Sequence, residues 1–264
     1  MTPWTALREE LRLFLTALQF FTRIPVPAWV GWSPQQLNAS ARHFPGVGWV
    51  VGGVGAGVLL AALALWPPAV AVGLSMAAGI LLTGAFHEDG FADSCDGFGG
   101  GFTRERVMAI MKDSRVGSYA TVGVVLVLGL KAALLLALVE RLDPLHLLAA
   151  LVASHAVSRL AALGVMARLD YVRDDDASKS KPIAQQRPGA GALAFAAAVA
   201  LLPGLPLGLS LLPALAGAAV VWALAVRYLR RRLGGYVGDA LGATQQLAEL
   251  AFLLGLTVRG GPWS

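Results

Sequence analysis

The sequence predicts an all-α, polytopic integral membrane helical bundle, and three observations lead to that prediction. Hydrophobic residues make up 56% of the 264 positions and charged residues only 14%, whereas a soluble globular domain carries about 25% charged residues. Several apolar stretches reach the ~20 residues that a helix needs to cross a bilayer. The Lys and Arg residues collect between these stretches. We therefore expect residues 1–264 to form a single membrane domain rather than a soluble globule.

About seven spans are expected, preceded by one further helix. The predicted spans are roughly 44–66, 69–86, 118–139, 145–167, 190–206, 208–227 and 241–257. Pairs of prolines, 67 and 68 and then 203 and 206, separate neighbouring spans, because proline interrupts helical hydrogen bonding. Ahead of the spans, apolar residues from Leu7 to Leu18 recur at helical spacing among charged ones, which predicts an amphipathic or re-entrant N-terminal helix. The single Cys95 excludes an intrachain disulfide.

The distribution of positive charge predicts the orientation. If residues 88–117 are cytoplasmic, alternation of the spans places 1–43, 168–189 and 227–240 on the same side. Together with 88–117, these segments hold 17 of the 21 Lys and Arg residues. The positive-inside rule then favours a bacterial inner-membrane protein whose polar segments face the cytoplasm. Orientation and anionic lipid explain the net charge of +5. No nucleic-acid partner is expected.

The stretch "HEDGFADSCDG" (87–97) is the least generic part of the chain. Asp89, Asp93 and Asp96 follow i, i+4, i+7 spacing and would share one stripe of a helix. Mg²⁺ suits such a stripe, since it is commonly held by one or two carboxylates together with substrate phosphates. Glu88 points away from the stripe and is excluded. The alternative is a solvated helix end with acidic residues on its wet face.

The residues that follow favour phosphate chemistry. "GFGGGF" (97–102) is expected to form a flexible glycine loop able to wrap an anion. Four basic residues come next, of the types that bind phosphates: Arg104, Arg106, Lys112 and Arg115. Asp113 lies among them and could add a fourth carboxylate. Carboxylates for a metal and basic groups for phosphate are the components of metal-assisted phosphoryl transfer.

Parts of the sequence resemble the motifs of two known families. Asp93 to Gly97 match the D-x-x-D-G core of CDP-alcohol phosphotransferases, but the rest of that signature is missing. Four segments in order resemble the cobalamin synthase (adenosylcobinamide-GDP ribazoletransferase) family instead. They are "FLTALQFFTRIPVP", "FPGVGWVVGGVGAG", "FHEDGFADSCDGFGGGFTRERVMAIMKDSRVGSYA" and "GGYVGDALGATQQLAELAFLL".

The resemblance implies a membrane transferase that joins adenosylcobinamide-GDP to α-ribazole or its 5′-phosphate and releases GMP. It implies Mg²⁺ held by Asp89, Asp93 and Asp96 against the pyrophosphate. Asp93, Asp96, Asp113 and Asp239 are then candidate catalytic residues, with Asp113 or Asp239 as a further metal ligand or as the base. The candidate substrate-binding residues are Arg23, His87, Arg104, Arg106, Lys112, Arg115 and Arg159.

Ionisable residues inside the predicted spans leave alternatives open. Arg159 either pairs with an acidic group such as Glu249 or contacts a substrate phosphate, and Lys131 is expected to face the bundle interior or snorkel to an interface. The same three residues could line the path of a transporter, which is the main rival to an enzyme. A CDP-alcohol-type lipid phosphotransferase is the other. Lys179 and Lys181 are further candidates for anion contact, and homo-oligomerisation is left open.

Overall fold

The computed structural model describes residues 3–172 and 187–258, and these are helical almost throughout. The α-helices are α1 (Pro3–Phe21), α2 (Pro34–Ala39), α3 (Phe44–Leu63), α4 (Pro68–Thr83), α5 (Phe86–Gly100), α6 (Arg104–Met111), α7 (Ser118–Val139), α8 (Pro144–Arg168), α9 (Ala190–Leu201), α10 (Leu211–Leu233) and α11 (Gly238–Leu256). Short 3₁₀ segments cover Ala28–Val30, Ser40–His43 and Leu202–Ser210. A single bridge between Tyr171 and Tyr236 is the only β-type pairing in the described ranges. The all-α prediction is confirmed.

The predicted number of seven spans is not confirmed. Within the described residues, four helical stretches are long and apolar enough to cross a bilayer: Pro34–Leu63, Ser118–Val139, Pro144–Arg168 and Ala190–Leu233. Helices α4 and α5 qualify only as one broken span, bent by 89°. Helix α4 has 16 residues, too few for a full span, and α11 is rich in polar residues. Each predicted span nevertheless coincides with a helix.

Helix α8 is the centre of the bundle and packs most closely against α3. Fifteen of its 25 residues are buried. A Cβ atom added at Gly48 would lie 2.6 Å from the carbonyl oxygen of His155, and one at Gly52 would lie 2.7 Å from Cα of Val152. Such close backbone approach is typical of small residues between membrane helices. These two glycines therefore set the distance between α3 and α8.

A sharp elbow between α4 and α5 positions the acidic segment. Gly84 (φ 67°) and Ala85 (φ 59°) both take left-handed backbone conformations. The backbone N–H of Arg23 donates to the carbonyl of Leu82 at 2.8 Å, and the Arg23 side chain lies where a Cβ on Gly84 would reach, 2.6 Å from its Nε. The end of α1 thus holds the elbow. Helix α5 consequently runs at 89° to α4.

Helix α1 behaves as the predicted amphipathic helix. Leu13, Ala17 and Leu18 are buried against the bundle, whereas Trp4 and Leu7 are exposed. Its charged first half explains why it is not among the stretches apolar enough to span a bilayer. It packs mainly against α2, α3 and the 3₁₀ segment between them.

We predict that Gly52→Val strongly destabilises the protein, because the added methyl groups would overlap the α8 backbone. Overpacking of this kind costs about 1–3 kcal/mol. Gly53→Val is the matched control, since nothing lies within 4 Å of a Cβ at the neighbouring position. The midpoint of unfolding by SDS in mixed micelles measures both. Equal midpoints for the two variants would contradict this account of α3–α8 packing.

Candidate functional site

The acidic segment forms helix α5, as predicted, and the helix continues farther than predicted. Asp89 is exposed and Asp93 is half-buried. The prediction of a flexible loop at 97–102 is wrong, because α5 extends to Gly100. A Cβ at Gly97 would lie 2.6 Å from Cγ of Met111, and one at Gly99 would lie 2.5 Å from the ring of Tyr119. These glycines serve close helix packing rather than loop flexibility.

Asp96 has a structural role that its sequence spacing does not reveal. One carboxylate oxygen accepts the backbone N–H of Gly117 at 2.6 Å, and the other accepts that of Ala120 at 2.9 Å. These N–H groups belong to the start of α7, where the first backbone donors of a helix have no partner within the helix. Asp96 therefore caps α7 from a neighbouring helix. Its predicted role as a metal ligand stays a prediction.

Helix α11 brings the backbone of Asp239 against α5. A Cβ added at Gly90 would lie 2.9 Å from the carbonyl oxygen of Asp239 and 3.1 Å from its Cα. Gly90 therefore lets the first turn of α11 lie directly against α5, beside Asp89. Asp239 is the second residue of α11, and the N-cap is Val237. Asp239 therefore lies within the first turn of α11 and not at its N-cap position.

Whether these residues can hold Mg²⁺ depends on how many carboxylate ligands the ion requires. In the part of the chain that the structure describes, no three His, Cys, Asp or Glu side chains converge as a metal-binding group. Mg²⁺ typically takes one or two carboxylates and completes its shell with water and substrate phosphates. Asp89 and Asp93 on α5 can supply that smaller set, with Asp239 as the neighbouring acid. The residues present therefore fit Mg²⁺ as an ion bound jointly with a phosphorylated substrate.

The predicted basic residues lie on and after α6 and are exposed. Arg115 pairs with Asp113 through its Nε at 2.9 Å and its Nη2 at 2.5 Å. Hydrogen bonds from the Arg115 side chain and backbone lower the pKa of Asp113 from 3.8 to about 2. A general base works best with a pKa near the operating pH. Asp113 is therefore ionised at neutral pH and poorly suited to accept a proton there.

The other three basic residues of this segment are exposed to solvent. Arg104 donates to the carbonyl of Val172 at 3.4 Å, which puts it beside the segment that leaves α8. Arg106 and Lys112 are exposed at the start of α6 and just after its end. Lys179 and Lys181 lie outside the described residues.

Arg159 is the most unusual member of the predicted set, because its side chain is only 2% exposed. Its Nη1 donates to the carbonyl of His155 at 2.9 Å, its guanidinium lies 6.0 Å from the ring centre of Phe21, and its Nε has no partner. No described carboxylate lies within ion-pairing distance of Arg159, so the alternative in which Arg159 pairs with Glu249 is wrong. His87 is also buried and stacks on Phe21 at 5.4 Å. Arg159 and His87 share the wall of a cavity of ≈ 40 Å³.

Glu249 pairs with Lys131 instead. Lys131 Nζ lies 2.5 Å from one Glu249 oxygen, and His155 Nδ1 lies 3.2 Å from the other. The expectation that Lys131 faces the bundle interior is confirmed. These groups line an interior cavity of ≈ 30 Å³, which is room for one or two waters.

Two glutamines extend this network to the acidic helix. Gln245 donates to Glu249 at 2.7 Å and to Ser158 at 2.9 Å. Gln246 donates to Gln245 and to Glu88, each at 3.1 Å. Glu88, excluded at the sequence level, therefore ties α5 to α11. The adjacent glutamines and Glu249 in the predicted span 241–257 were the available sequence signal for this network.

We predict that Asp96→Ala destabilises the protein even without metal or substrate, because two N–H groups of α7 lose their acceptor. Loss of a cap costs about 0.5–2 kcal/mol. Asp89→Ala is the control, since Asp89 lies on the same stripe but is exposed. The SDS unfolding midpoint in the presence of EDTA measures the difference. If both variants unfold at the same SDS concentration, Asp96 does not cap α7.

A double-mutant cycle tests the interior pair. Lys131→Met or Glu249→Gln alone leaves a buried charge without its partner, which costs about 3–5 kcal/mol. The double variant should recover part of that loss. Glu9→Gln removes the exposed Arg12–Glu9 pair and should change stability by less than about 1 kcal/mol. Strict additivity of the two interior substitutions would show that the pair is not coupled.

Comparisons with known proteins identify the same family over nearly the whole chain. The family model described as cobalamin-5-phosphate synthase (CobS) matches residues 13–257. Proteins named adenosylcobinamide-GDP ribazoletransferase are 54% identical in Leptothrix cholodnii, over 95% of this chain and 96% of the relative, and 48% identical in Ralstonia nicotianae, over 94% and 95%. The one from Albidiferax ferrireducens is 45% identical over 95% of this chain and 99% of its own. No solved structure matches. This chain belongs to the cobalamin-5-phosphate synthase family.

Proposed function

We propose that this protein transfers the adenosylcobinamide-phosphate group of adenosylcobinamide-GDP to α-ribazole or α-ribazole 5′-phosphate. The products are adenosylcobalamin, or its 5′-phosphate, and GMP. The observation that carries the proposal is the 54% identity to a relative with this named activity over nearly the full length of both chains. The acidic helix α5 and the basic α6 segment supply the chemistry that such a transfer needs.

In this reaction a ribose hydroxyl attacks the cobinamide-side phosphorus of the pyrophosphate. A new P–O bond forms, the bond to the bridging oxygen breaks, and GMP leaves with the electron pair. Asp89 and Asp93 would hold Mg²⁺ together with the pyrophosphate. Bound there, Mg²⁺ would offset the negative charge of the phosphates. Arg104, Arg106 and Arg115 would stabilise the charge on the departing GMP, assisted by Lys112.

The remaining site residues take different roles in the proposal. Asp239 is the better candidate for the base, since Arg115 keeps Asp113 in its ionised, weakly basic form. Asp96 would act by fixing α5 against α7 and could still complete the metal shell. The buried Arg159, together with His87, would contact an anionic part of the substrate. Arg23 would act by holding the elbow before α5.

We further propose that the protein lies in the bacterial inner membrane with this site facing the cytoplasm, as the charge distribution predicts. The transporter alternative has less support. The ionisable residues that could line a path, Lys131 and Glu249, are paired with each other. The cavity beside them is too small for a solute larger than water.

We predict that Asp93→Asn and Asp89→Asn each lower kcat at least about 100-fold, because the substrate phosphates lose metal contacts. Glu105→Gln is the control, since this carboxylate is exposed on α6 and outside the proposed site. The assay uses purified protein in detergent with Mg²⁺, adenosylcobinamide-GDP and α-ribazole, and it quantifies cobalamin and GMP. Absence of product with wild-type protein would refute the function. Wild-type turnover by both aspartate variants would refute the site.

A further inference from the structure

A groove on the outer surface of the bundle, between α5, α10 and α11, has no role in the proposed reaction. Its volume is ≈ 610 Å³, far larger than the interior cavities of ≈ 30 and ≈ 40 Å³. On α5 it touches the face opposite the aspartate stripe. The apolar lining includes Phe91, Phe98, Val221, Leu224 and Leu247.

The groove follows the last part of helix α10. Its α10 lining runs from Val221 to Arg231, which is about 15 Å at 1.5 Å per residue. The apolar part of α10 before Arg227 measures about 24 Å by the same rule, so its basic end reaches the edge of a hydrocarbon core of ~30 Å. Leu224 and Leu247 are exposed along the groove. The part of the groove between Val221 and Arg227, about 9 Å long, can therefore hold the first part of an acyl chain within the bilayer.

Two guanidinium groups lie at the basic end of the groove. Arg227 and Arg231 line it and are exposed, and neither forms an ion pair or hydrogen bond within the described residues. The neighbouring Arg232 is different, because it donates to the carbonyl of Gly101 at 2.6 Å and lies over the ring of Phe98. Arg227 and Arg231 thus remain available for an external anion.

A second groove provides an internal comparison. It lies between α1, α3 and α9 and has a similar volume of ≈ 640 Å³. Its lining is equally apolar but contains no Lys or Arg, and His43 is its only titratable residue. Size and apolarity are therefore shared, whereas the pair of unpartnered cations is specific to the α5–α10–α11 groove.

We propose that this groove is a binding site for an anionic phospholipid, with an acyl chain along α10 and the phosphate between Arg227 and Arg231. Basic pockets between membrane helices on the cytoplasmic side bind anionic headgroups in this way, and arginine suits phosphate through paired N–H donors. Because the groove lines the back of α5, the lipid would support the acidic helix from the side opposite its aspartates. None of the residues that would contact the lipid takes part in the proposed chemical step.

The test is native mass spectrometry of the delipidated full-length protein with dioleoylphosphatidylglycerol or dioleoylphosphatidylcholine. We expect the wild type to prefer phosphatidylglycerol by about 10- to 30-fold, from two cations near the headgroup. The R227Q/R231Q variant should lose that preference. R230Q is the control, since Arg230 belongs to the same basic run but does not line the groove. Equal binding of both lipids by the wild type, or equal loss in R230Q, would overturn the proposal.

Two further measurements keep the result unambiguous. Phosphatidylglycerol should raise the unfolding temperature of the wild type, whereas phosphatidylcholine and soluble glycerol 3-phosphate should not. This measurement needs no variant, and it distinguishes binding of a lipid from binding of a free phosphate. A243W should narrow the groove and weaken phosphatidylglycerol binding. If A243W instead dissociates a dimer and leaves lipid binding unchanged, the groove belongs to a second copy of the chain and the proposal is wrong.

Discussion

The acidic helix α5 is held in the bundle by the carboxylate of Asp96, which accepts two backbone N–H groups at the start of α7. Helix α5 needs such support because four of its 15 residues are glycines, each of which weakens a helix by about 1 kcal/mol relative to alanine. Most helical stability in proteins comes from tertiary packing. The same glycines provide that packing, since Gly90 admits α11 and Gly97 admits α6. The cap and the close contacts together fix the direction in which Asp89 and Asp93 point.

The interior polar network extends this support through the bundle. It joins α7, α8, α11 and α5 through Lys131, His155, Glu249 and the two glutamines. Ionisable groups at membrane depth are expensive and are usually paired or functional. Here Lys131 and Glu249 are paired, whereas the buried Arg159 side chain forms no ion pair with a described residue; it donates to the carbonyl of His155 and lies beside the ring of Phe21. This difference is why Arg159, rather than the ion pair, is the buried cation proposed to contact a substrate.

The sequence predicted the positions of the helices well, because apolar runs bounded by proline and charge identify membrane helices directly. The stripe formed by Asp89 and Asp93 followed from helical periodicity. The role of Asp96 did not, since its partners lie 21 and 24 positions away and only the fold brings them together. The glycine run was misread as a loop because packing against Tyr119 and Met111 overrides the low helix propensity of glycine. The partner of Glu249 could not be chosen from the sequence, which left a pair with Arg159 as one alternative; the packing of α7 against α11 selects Lys131.

Helix α5 has two different faces. One carries Asp89 and Asp93, which we propose to bind the metal, and the opposite face lines the groove proposed to bind lipid, with Arg227 and Arg231 at its end. A membrane-embedded enzyme for a phosphorylated, water-soluble substrate needs a polar face toward the substrate and an apolar face toward the bilayer, and here both belong to one short helix. Its glycines and its cap on α7 make that arrangement stable.

The most direct test of the central claim follows the attacking oxygen. Purified protein is incubated with Mg²⁺, adenosylcobinamide-GDP and α-ribazole carrying ¹⁸O in the attacking ribose hydroxyl, and the products are analysed by ³¹P NMR and mass spectrometry. The account predicts equimolar cobalamin and GMP, with the label in the new phosphodiester and none in GMP. A cobalamin phosphodiester without the label, a labelled diester of ribazole with GMP, or the absence of a cobalamin product would contradict attack by this hydroxyl on the cobinamide-side phosphorus.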